Sequence, residues 1–579
     1  MSYTLGINAA YHDSAACLVR HGDVLAAAEE ERFTRIKHGK RPLPFSAWEL
    51  PYNAIDYCLA HAGIELSDCD HVAYSYDPYL LLDRRAETIT LPLEPSAASA
   101  ASAPVADDEG GLGPWGPLFL SYIVNAERQL LDGAPHHLRK RFLSAKQSRR
   151  WRWHFVEHHL AHEASAFLAA PFDEAAVMTL DGRGENTATS YGELVAGGYR
   201  RIGQVPLPHS LGMLYERVTE HLGFLRSSDE YKVMALASYG KPTYEHVFRE
   251  IVQVGDDGSY TVADVDLREA LGAARAKGAE LAQRHFDIAH SLQAVLEHTV
   301  IELARWLERR TGARNLCLAG GVALNCVLNA RLRDRRIFDD VWVQPAAGDA
   351  GTALGAALWV DWNESGRRRG YRMDHAYLGP EYSSEEIGAF LERSKLPYRK
   401  VPNVAEECAR LLAEDKILGW FQGRMEFGPR ALGGRSILAS PLSPSMQQRL
   451  NEIKDREDFR PVAPVVLEEE AGAWFANGAR APFMLFVFDV LPDKAAAIPA
   501  VRHVDGTARV QTVNRGQHAL YYDLLKSFQA RTGVPVLVNT SFNTRGEPIV
   551  CTPRDAIECF ASSPLDALAI GPYLLEKRA

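Results

Sequence analysis

The sequence lacks the features that would place the protein in a membrane, in an oxidising compartment or on nucleic acid. Its eight cysteines are scattered without a CxxC pair, which favours reduced thiols over a zinc knuckle or a disulfide framework. No apolar run reaches membrane length, and no basic region precedes the first apolar run at the N-terminus. The formal net charge of −10 argues against a broad nucleic-acid surface. We therefore expect a cytoplasmic protein that binds neither membrane nor nucleic acid.

The composition is that of an ordinary globular protein, and the length requires more than one core. Hydrophobic residues make up 46% and charged residues 24% of the 579 positions, which predicts at least two domains. The mixed Gly/Arg stretch 362–372 marks a domain boundary, after which Ser383 and Glu386 have the spacing of a helix-capping box. The Ala/Ser/Pro-rich segment 91–117 is either a disordered insertion or a lid over an acceptor site.

Two similar strand–turn–strand patterns indicate a duplicated α/β domain. Residues 3–9 predict a strand, and the following alternating segment reverses at His21-Gly22-Asp23. Near residue 175 the plan recurs as AVMTL, DGRGE and TATSYGEL. Duplicated folds of this kind place nucleotide phosphates between the two turns, although short hairpins are common enough for the recurrence to be a coincidence.

A metal site is the first chemical hypothesis. His158 and His162 lie four residues apart on a predicted helix, so both imidazoles share one face. Asp181 ends a predicted strand and is followed by Gly182 and Gly184. Two imidazoles and a carboxylate suit a first-row metal with open positions. The alternative is a histidine-rich surface helix beside an unrelated turn.

Two glycine-rich junctions predict a nucleotide site. An amphipathic helix over 285–310 precedes the strand NLCLAG, which runs into Gly320-Gly321. In the second junction, Asp349 lies between Gly348 and Gly351 before a helix of small residues. Free N–H groups at such helix starts bind phosphate, although a lone glycine turn often only reverses the chain.

The C-terminal part concentrates cations and amides among glycines and apolar strands, which is typical of an anion pocket. The alternative is surface ion pairing with Glu426, Glu452 and Glu457, and we expect about half of the cations to contact ligand. The residues are Arg424, Arg430, Arg435, Lys454, Arg456, Arg460, His503, Arg509, Asn539, Ser541, Asn543 and Arg545.

Together these residues resemble, over essentially the whole chain, the nodulation-type and antibiotic-tailoring O-carbamoyltransferases. The resemblance implies an actin-like (ribonuclease H-like) domain over 1–365 and a smaller YrdC-like α/β domain over 375–579. It also implies that carbamoyl phosphate and ATP give carbamoyl-adenylate and pyrophosphate in the smaller domain. An acceptor hydroxyl then takes the carbamoyl group in the larger domain, and AMP leaves. The motifs are FTRIKH, HHLAH, DGRGE, EYKVMALASYG, GGVALNC, GDAGTALGAAL, GRMEFGPRALGGRSILA, DGTARVQTV and NTSFNTRGEPIV.

The resemblance also assigns roles to single residues by position. Asp349 joins His158, His162 and Asp181 as a metal ligand, usually for iron, and His12 matches the proposed general base. Mg²⁺ is expected with ATP. Two departures from the family pattern are Ser440, where relatives often carry Asp, and ALASYG in place of GLAPYG. The residues assigned to nucleotide or carbamoyl phosphate are Lys37, Glu230, Lys232, Gly320, Gly321, Asn325, Arg430, Lys454, Arg460 and Arg509, with Asn539 and Ser541 nearby.

The acceptor is expected to be a hydroxylated small molecule, with an antibiotic or another natural product favoured. Tyr122, Trp115 and the Trp151/Trp153 pair line an acceptor site or simply pack. Two rival functions stay open: a fused synthase of threonylcarbamoyl-adenosine on tRNA, and a non-catalytic nucleotide-binding regulator. The oligomeric state is also open, with a homodimer as one option.

Overall fold

The computed structural model describes residues 2–39, 50–82, 117–132, 151–196, 198–366, 369–544 and 546–577. Trp115, Arg545 and almost all of the segment 91–117 lie outside these residues. The described chain is mixed α/β, as the sequence predicts, and separates into two compact units. The first unit comprises Met1–Val233, Lys241–Leu324 and Arg331–Met373, and the second comprises Met234–Gly240, Asn325–Ala330 and Asp374–Ala579.

The described residues of the first unit form twelve strands and ten complete helices. Two further helices, Glu230–Ala237 (α7) and Cys326–Asp334 (α11), have residues in both units. Strands β1 to β12 are Tyr3–Asn8, Ala15–Arg20, Asp23–Glu29, His71–Tyr74, Arg152–Phe155, Ala175–Leu180, Thr187–Val195, Gly198–Pro206, Val252–Val254, Tyr260–Val262, Asn315–Ala319 and Asp340–Val343. Helices α1 to α12 are Glu31–Thr34, Tyr52–Ala62, Pro117–Val124, Ala126–Asp132, His158–Phe167, Leu211–His221, Glu230–Ala237, Glu245–Ile251, Leu267–Leu271, Gln283–Thr311, Cys326–Asp334 and Ala350–Glu364.

Two five-stranded sheets of this unit repeat one topology. The first has the order β3-β2-β1-β4-β5 and the second the order β8-β7-β6-β11-β12. In each, three antiparallel strands continue into two parallel ones. The two strand–turn–strand patterns seen in the sequence are therefore the first strands of the two equivalent sheets.

Helix α12 packs closely along its first half, where glycine and alanine predominate. It contacts strand β1 and helix α5. A Cβ atom at Gly355 would overlap the carbonyl oxygen of Ala161 in α5, and one at Gly6 in β1 would overlap the carbonyl oxygen of Ala353. Glycine at these positions lets the backbones approach to a distance that a side chain would prevent.

The second unit is built on one eight-stranded mixed sheet of order β13-β22-β21-β14-β15-β20-β16-β19, with a separate β17–β18 pair. Its core includes Trp420, Phe528 and Leu568, which are fully buried. Strands β13 to β22 are Arg399–Lys400, Leu418–Phe421, Arg435–Ala439, Ala463–Leu467, Val487–Asp489, Thr507–Arg509, Gln511–Val513, Val536–Ser541, Ala567–Ile570 and Tyr573–Glu576. Helices α13 to α18 are Ser384–Ser394, Val404–Ala413, Met446–Ile453, Ala471–Trp474, Ala519–Thr532 and Pro553–Ser562.

Several local predictions are confirmed. The chain reverses between β2 and β3 at His21-Gly22, and α10 spans the amphipathic segment. The Ser383 hydroxyl accepts the N–H of Glu386, whose carboxylate accepts the N–H of Ser383.

Among the described residues, no helix combines the length and the apolar content that crossing a membrane requires. The actin-like and YrdC-like assignments remain predictions.

Candidate active site

Four predicted ligands meet in the first unit. His158 and His162 lie one turn apart on α5, Asp181 follows strand β6, and Asp349 directly precedes helix α12. Both histidines are fully buried, and the two aspartates are 7% and 8% exposed. A helix face, a strand end and a helix start therefore converge on one buried point.

The distances among the four side chains fit a metal ion. The two Nε2 atoms are 3.2 Å apart, and His158 Nε2 lies 3.6 Å from one oxygen each of Asp181 and Asp349. His162 Nε2 lies 3.9 Å and 3.7 Å from the same oxygens. Donors held ~2.1 Å from a central ion are separated by about 3.4 Å in a tetrahedron. The donor set and its spacing thus suit a first-row divalent ion.

The charges of the site also favour a cation. Burial alone would lower the pKa of His158, but hydrogen bonds and charges from Asp181 and Asp349 outweigh burial and raise that pKa well above its usual range. Burial would likewise raise the pKa of Asp181, yet the neighbouring histidines lower it from its usual value. Two ionised carboxylates in a buried space need compensating positive charge, which a bound metal ion would supply.

Backbone and side-chain contacts orient this cluster. The N–H of Gly321 donates to Asp181 Oδ1 at 2.7 Å, and His158 Nδ1 lies 3.3 Å from the carbonyl oxygen of Ser75. Buried Glu185 accepts the backbone N–H groups of Asp77 at 2.7 Å and His158 at 3.0 Å, and burial raises the pKa of Glu185 to about 7. Such outer contacts fix how ligands face an ion.

The predicted glycine turn therefore contacts Asp181, a predicted metal ligand, directly. Gly320 has a φ of +91°, and a Cβ there would overlap the backbone of Leu180. Asn325, assigned to the same turn, accepts the N–H of Leu328 at 3.0 Å and so caps the start of α11 in the second unit. Whether these residues also bind nucleotide stays a prediction.

His12 belongs to a second polar cluster of the first unit. Its Nδ1 lies 2.9 Å from Asp13 Oδ2, and its Nε2 lies 2.7 Å from the carbonyl oxygen of Ser227. The other oxygen of Asp13 lies 2.8 Å from His38 Nδ1, while His38 Nε2 lies 3.0 Å from Ser228 Oγ. Burial would raise the pKa of Asp13, but the two histidines outweigh burial and lower it well below the usual range. One ionised carboxylate thus orients two imidazoles.

The other residues assigned to the first unit lie near this cluster in sequence or by contact. Glu230 accepts the N–H of Ser227 at 2.7 Å, and burial raises the pKa of Glu230 to about 7. Lys232 forms an ion pair with Asp229 at 3.1 Å. Lys37 is half-buried and immediately precedes His38.

The second unit brings several predicted cations into mutual range. Lys454 is 6% exposed, and its Nζ donates to Ser541 and Asn543, at 2.6 Å to the carbonyl of Ser541 and to the Oδ1 of Asn543. Burial lowers the pKa of Lys454 well below its usual value, and the charges of Arg456 and Arg460 lower it further.

Arg509 extends this group of cations. Burial lowers its pKa, and the charge of Arg460 contributes in the same direction. Cations that lie close enough to lower one another's pKa are typical of a site that binds an anion.

Other predicted pocket residues make contacts that bear on their roles. Arg435 is fully buried, donates to the carbonyls of Gln422, Gly423, Gly434 and Pro380, and stacks 3.7 Å above Phe421. These contacts make it a structural residue.

The side chains of three more predicted pocket residues make contacts within the protein: Arg424, His503 and Asn539. Arg424 donates to the carbonyl of Leu378 at 2.5 Å. His503 is neutral near pH 7 because burial lowers its pKa to about 4. Asn539 donates its amide to Gln511 Oε1 at 2.7 Å. Arg430 is half-buried. The ligand-binding roles of these residues remain predictions.

Sequence reasoning missed the connecting residues. Asp13 and Ser227 were given no role, although the adjacency of Asp13 to His12 could have indicated one. Glu185 ends the DGRGE motif, but the motif alone did not show that its carboxylate accepts the N–H of His158. Trp151, offered for an acceptor site, is 3% exposed and belongs to the apolar core of the first sheet.

Family models match most of the chain. The model described as "Carbamoyltransferase N-terminus" matches residues 3–358, and the model described as "Carbamoyltransferase C-terminus" matches residues 409–577.

Among curated relatives, the uncharacterized protein sll1178 of Synechocystis sp. is 39% identical, with 100% of this chain and 97% of that protein covered. The nodulation protein NolNO of Sinorhizobium fredii is also 39% identical, with 99% and 80% covered. The nodulation protein NolO of Bradyrhizobium diazoefficiens is 42% identical, with 73% and 79% covered.

Proposed function

The chain belongs to the carbamoyltransferase family, and from that premise we propose that it carbamoylates a hydroxyl group of a small-molecule acceptor. Carbamoyl phosphate is the proposed donor, and ATP is the co-substrate that activates it. The proposed acceptor class is a hydroxylated natural product.

The first half-reaction is assigned to the second unit. Atom balance requires that water first cleaves carbamoyl phosphate to carbamate and inorganic phosphate. A carbamate oxygen then attacks the α-phosphorus of ATP, and pyrophosphate leaves. The cations Lys454, Arg460 and Arg509 are proposed to neutralise the phosphate charge during this attack. The product is carbamoyl-adenylate.

The second half-reaction is assigned to the first unit. His158, His162, Asp181 and Asp349 would hold a divalent ion, with iron as the expected species. Such an ion, when bound, supplies a Lewis acid that can orient phosphate oxygens. The side chains of the protein must position the acceptor hydroxyl and accept its proton.

His12 is the proposed base for that proton. An alcohol is a poor nucleophile near neutral pH, and an imidazole suits the removal of its proton. Both ring nitrogens of His12 face acceptors, the carboxylate of Asp13 and the carbonyl of Ser227. For catalysis, the Nε2 contact with Ser227 would be exchanged for the acceptor hydroxyl while Asp13 holds Nδ1–H. The acceptor oxygen then attacks the carbamoyl carbon, the bond between that carbon and the phosphate oxygen of AMP breaks, and AMP leaves.

The observation that carries this proposal is the buried four-donor cluster in a chain that matches both carbamoyltransferase models. The test is isotope exchange between pyrophosphate and ATP without acceptor. We expect exchange that depends on carbamoyl phosphate. If the label never enters ATP, the first half-reaction is wrong.

The same assay separates the two rivals. A synthase of threonylcarbamoyl-adenosine would exchange with threonine and bicarbonate in place of carbamoyl phosphate, and we expect no exchange with that pair. A non-catalytic regulator would show exchange under neither condition.

A further inference from the structure

A separate group of metal-ligand side chains lies in the first unit and shares no residue with the four-donor cluster or with the His12–Asp13–His38 cluster. His71 begins strand β4, His154 lies on strand β5, and Glu364 is the last residue of helix α12. One ligand atom from each residue falls within 4.8 Å of the other two.

The backbone explains why the two imidazoles meet. Strands β4 and β5 run parallel, with His71 opposite Arg152 and Ala73 opposite His154. The histidines are thus diagonal neighbours, and His71 Nδ1 lies 3.0 Å from His154 Nε2. Nitrogens bound ~2.1 Å from one ion are about 3.0–3.4 Å apart for angles between 90° and 109°. The separation fits a shared ion without movement of the strands.

The charges around the cluster suit a cation. Burial lowers the pKa values of both histidines, which leaves the imidazoles neutral and able to coordinate. Glu364 supplies the carboxylate and forms an ion pair with Arg152 at 2.9 Å. The side chain of Arg152 is 68% exposed, so it can turn into solvent and release the carboxylate.

We propose that His71, His154 and Glu364 bind a second transition-metal ion of the zinc class. Two imidazoles and one carboxylate are a common zinc donor set, with water completing the coordination. The proposal does not depend on the carbamoyl chemistry, because its residues take no part in either half-reaction.

The position of this ion indicates a structural role. His154 lies four residues before His158, and Glu364 ends the helix whose start follows Asp349. An ion bound by His71, His154 and Glu364 would therefore link the strand that precedes His158 to the C-terminal end of the helix that follows Asp349. The competing explanation is a hydrogen bond between two neutral imidazoles beside a surface ion pair.

The test counts zinc ions on the full chain. Protein stripped with chelator is titrated with Zn²⁺ against a coloured chelator of known affinity. We expect two equivalents for the wild type, one for Asp349→Asn, one for His154→Gln, and none for the double variant. The matched control is His246→Gln, which removes an exposed histidine and should bind two.

A second measurement guards against misfolding. In the Asp349→Asn background, Zn²⁺ should raise the melting temperature, and His154→Gln should abolish that rise while leaving the metal-free melting temperature unchanged. If His154→Gln does not fold, Glu364→Gln replaces it and should weaken the second equivalent about tenfold or more. The proposal is overturned if His154→Gln or Glu364→Gln still binds two equivalents with wild-type affinity, or if Asp349→Asn alone removes all tight binding.

Discussion

The pair of histidines held by one carboxylate explains how a residue in a turn could act as a base. Asp13 contacts the Nδ1 atoms of both His12 and His38, at 2.9 Å and 2.8 Å. A carboxylate in this position fixes the tautomer of the ring and stabilises the imidazolium that forms when a proton is taken up. The geometry gives His12 an orientation that a free surface histidine would lack.

Replacing His12 with asparagine should separate the two half-reactions. We expect carbamoyl transfer to fall by about 100- to 10,000-fold, because the proposed base is lost, while pyrophosphate exchange continues at the wild-type rate. Product formation and exchange are measured on the same preparation. The control is His21→Asn, in the neighbouring exposed turn, which should leave both activities intact. Loss of exchange in His12→Asn would refute the base assignment.

Replacing Arg509 with alanine should do the reverse. We expect carbamoyl phosphate-dependent exchange to fall about 100- to 1,000-fold, since a cation proposed to stabilise phosphate charge is removed. The matched variant is Arg515→Ala, which removes an arginine that is 65% exposed and pairs with Asp523. Wild-type exchange in Arg509→Ala would show that this residue has been misplaced.

Glu230 should leave a signature in the pH dependence of stability. Burial raises its pKa in the folded protein from 4.5 to about 7, so the folded state binds the proton more tightly than the unfolded chain does. The contribution of Glu230 is therefore fully present below about pH 4.5 and is lost as the pH rises towards 7. We expect Glu230→Gln to flatten the decline of unfolding free energy across this window, as measured by denaturant titration at several pH values. An unchanged slope would contradict the burial of this carboxyl.

At the scale of elements, the candidate metal site depends on the close contact between helices α5 and α12. Gly355 permits this contact, because any Cβ there would overlap the carbonyl oxygen of Ala161. The two helices carry or immediately follow three of the four ligands, His158, His162 and Asp349. Their spacing therefore sets the distance between imidazoles and carboxylate.

Gly355→Ala should damage both stability and metal binding. We expect the free energy of unfolding to fall by about 1–3 kcal/mol, since overpacking forces the helices apart, and the bound metal to be lost or weakened. Metal content and thermal unfolding check this. Gly472→Ala is the control, because the nearest atom to its new methyl group would be 3.9 Å away. Equal metal content in Gly355→Ala and wild type would contradict the expectation.

Local signals in the sequence predicted these elements well, and contacts between distant residues were harder to predict. The hairpin at His21-Gly22 and the Ser383 capping box follow from neighbouring residues, so sequence spacing was enough. The diagonal contact of His71 with His154 depends on the pairing of two strands far apart in the chain. Arg435 shows the converse, because its surrounding glycines suggested an anion pocket but their carbonyls bind it instead.

At the scale of the whole molecule, the two units carry different clusters of polar side chains, and this difference fits a reaction in two halves. The first holds the four-donor cluster and His12, and the second holds the cluster of cations around Lys454. The order of motifs made the family recognisable from sequence, since nine short matches in one order are far more specific than any one of them. The acceptor could not be predicted, because no motif in the described residues identifies what binds there.

The most direct test is to identify the products formed from carbamoyl phosphate, ATP and a panel of hydroxylated natural products. Chromatography with mass spectrometry would follow the nucleotide and the acceptor in the same reaction. We predict AMP, pyrophosphate and inorganic phosphate, with one carbamate ester formed for each AMP. Formation of ADP in place of AMP, or an absence of any carbamoylated acceptor while AMP accumulates only with threonine and bicarbonate, would contradict the proposed function.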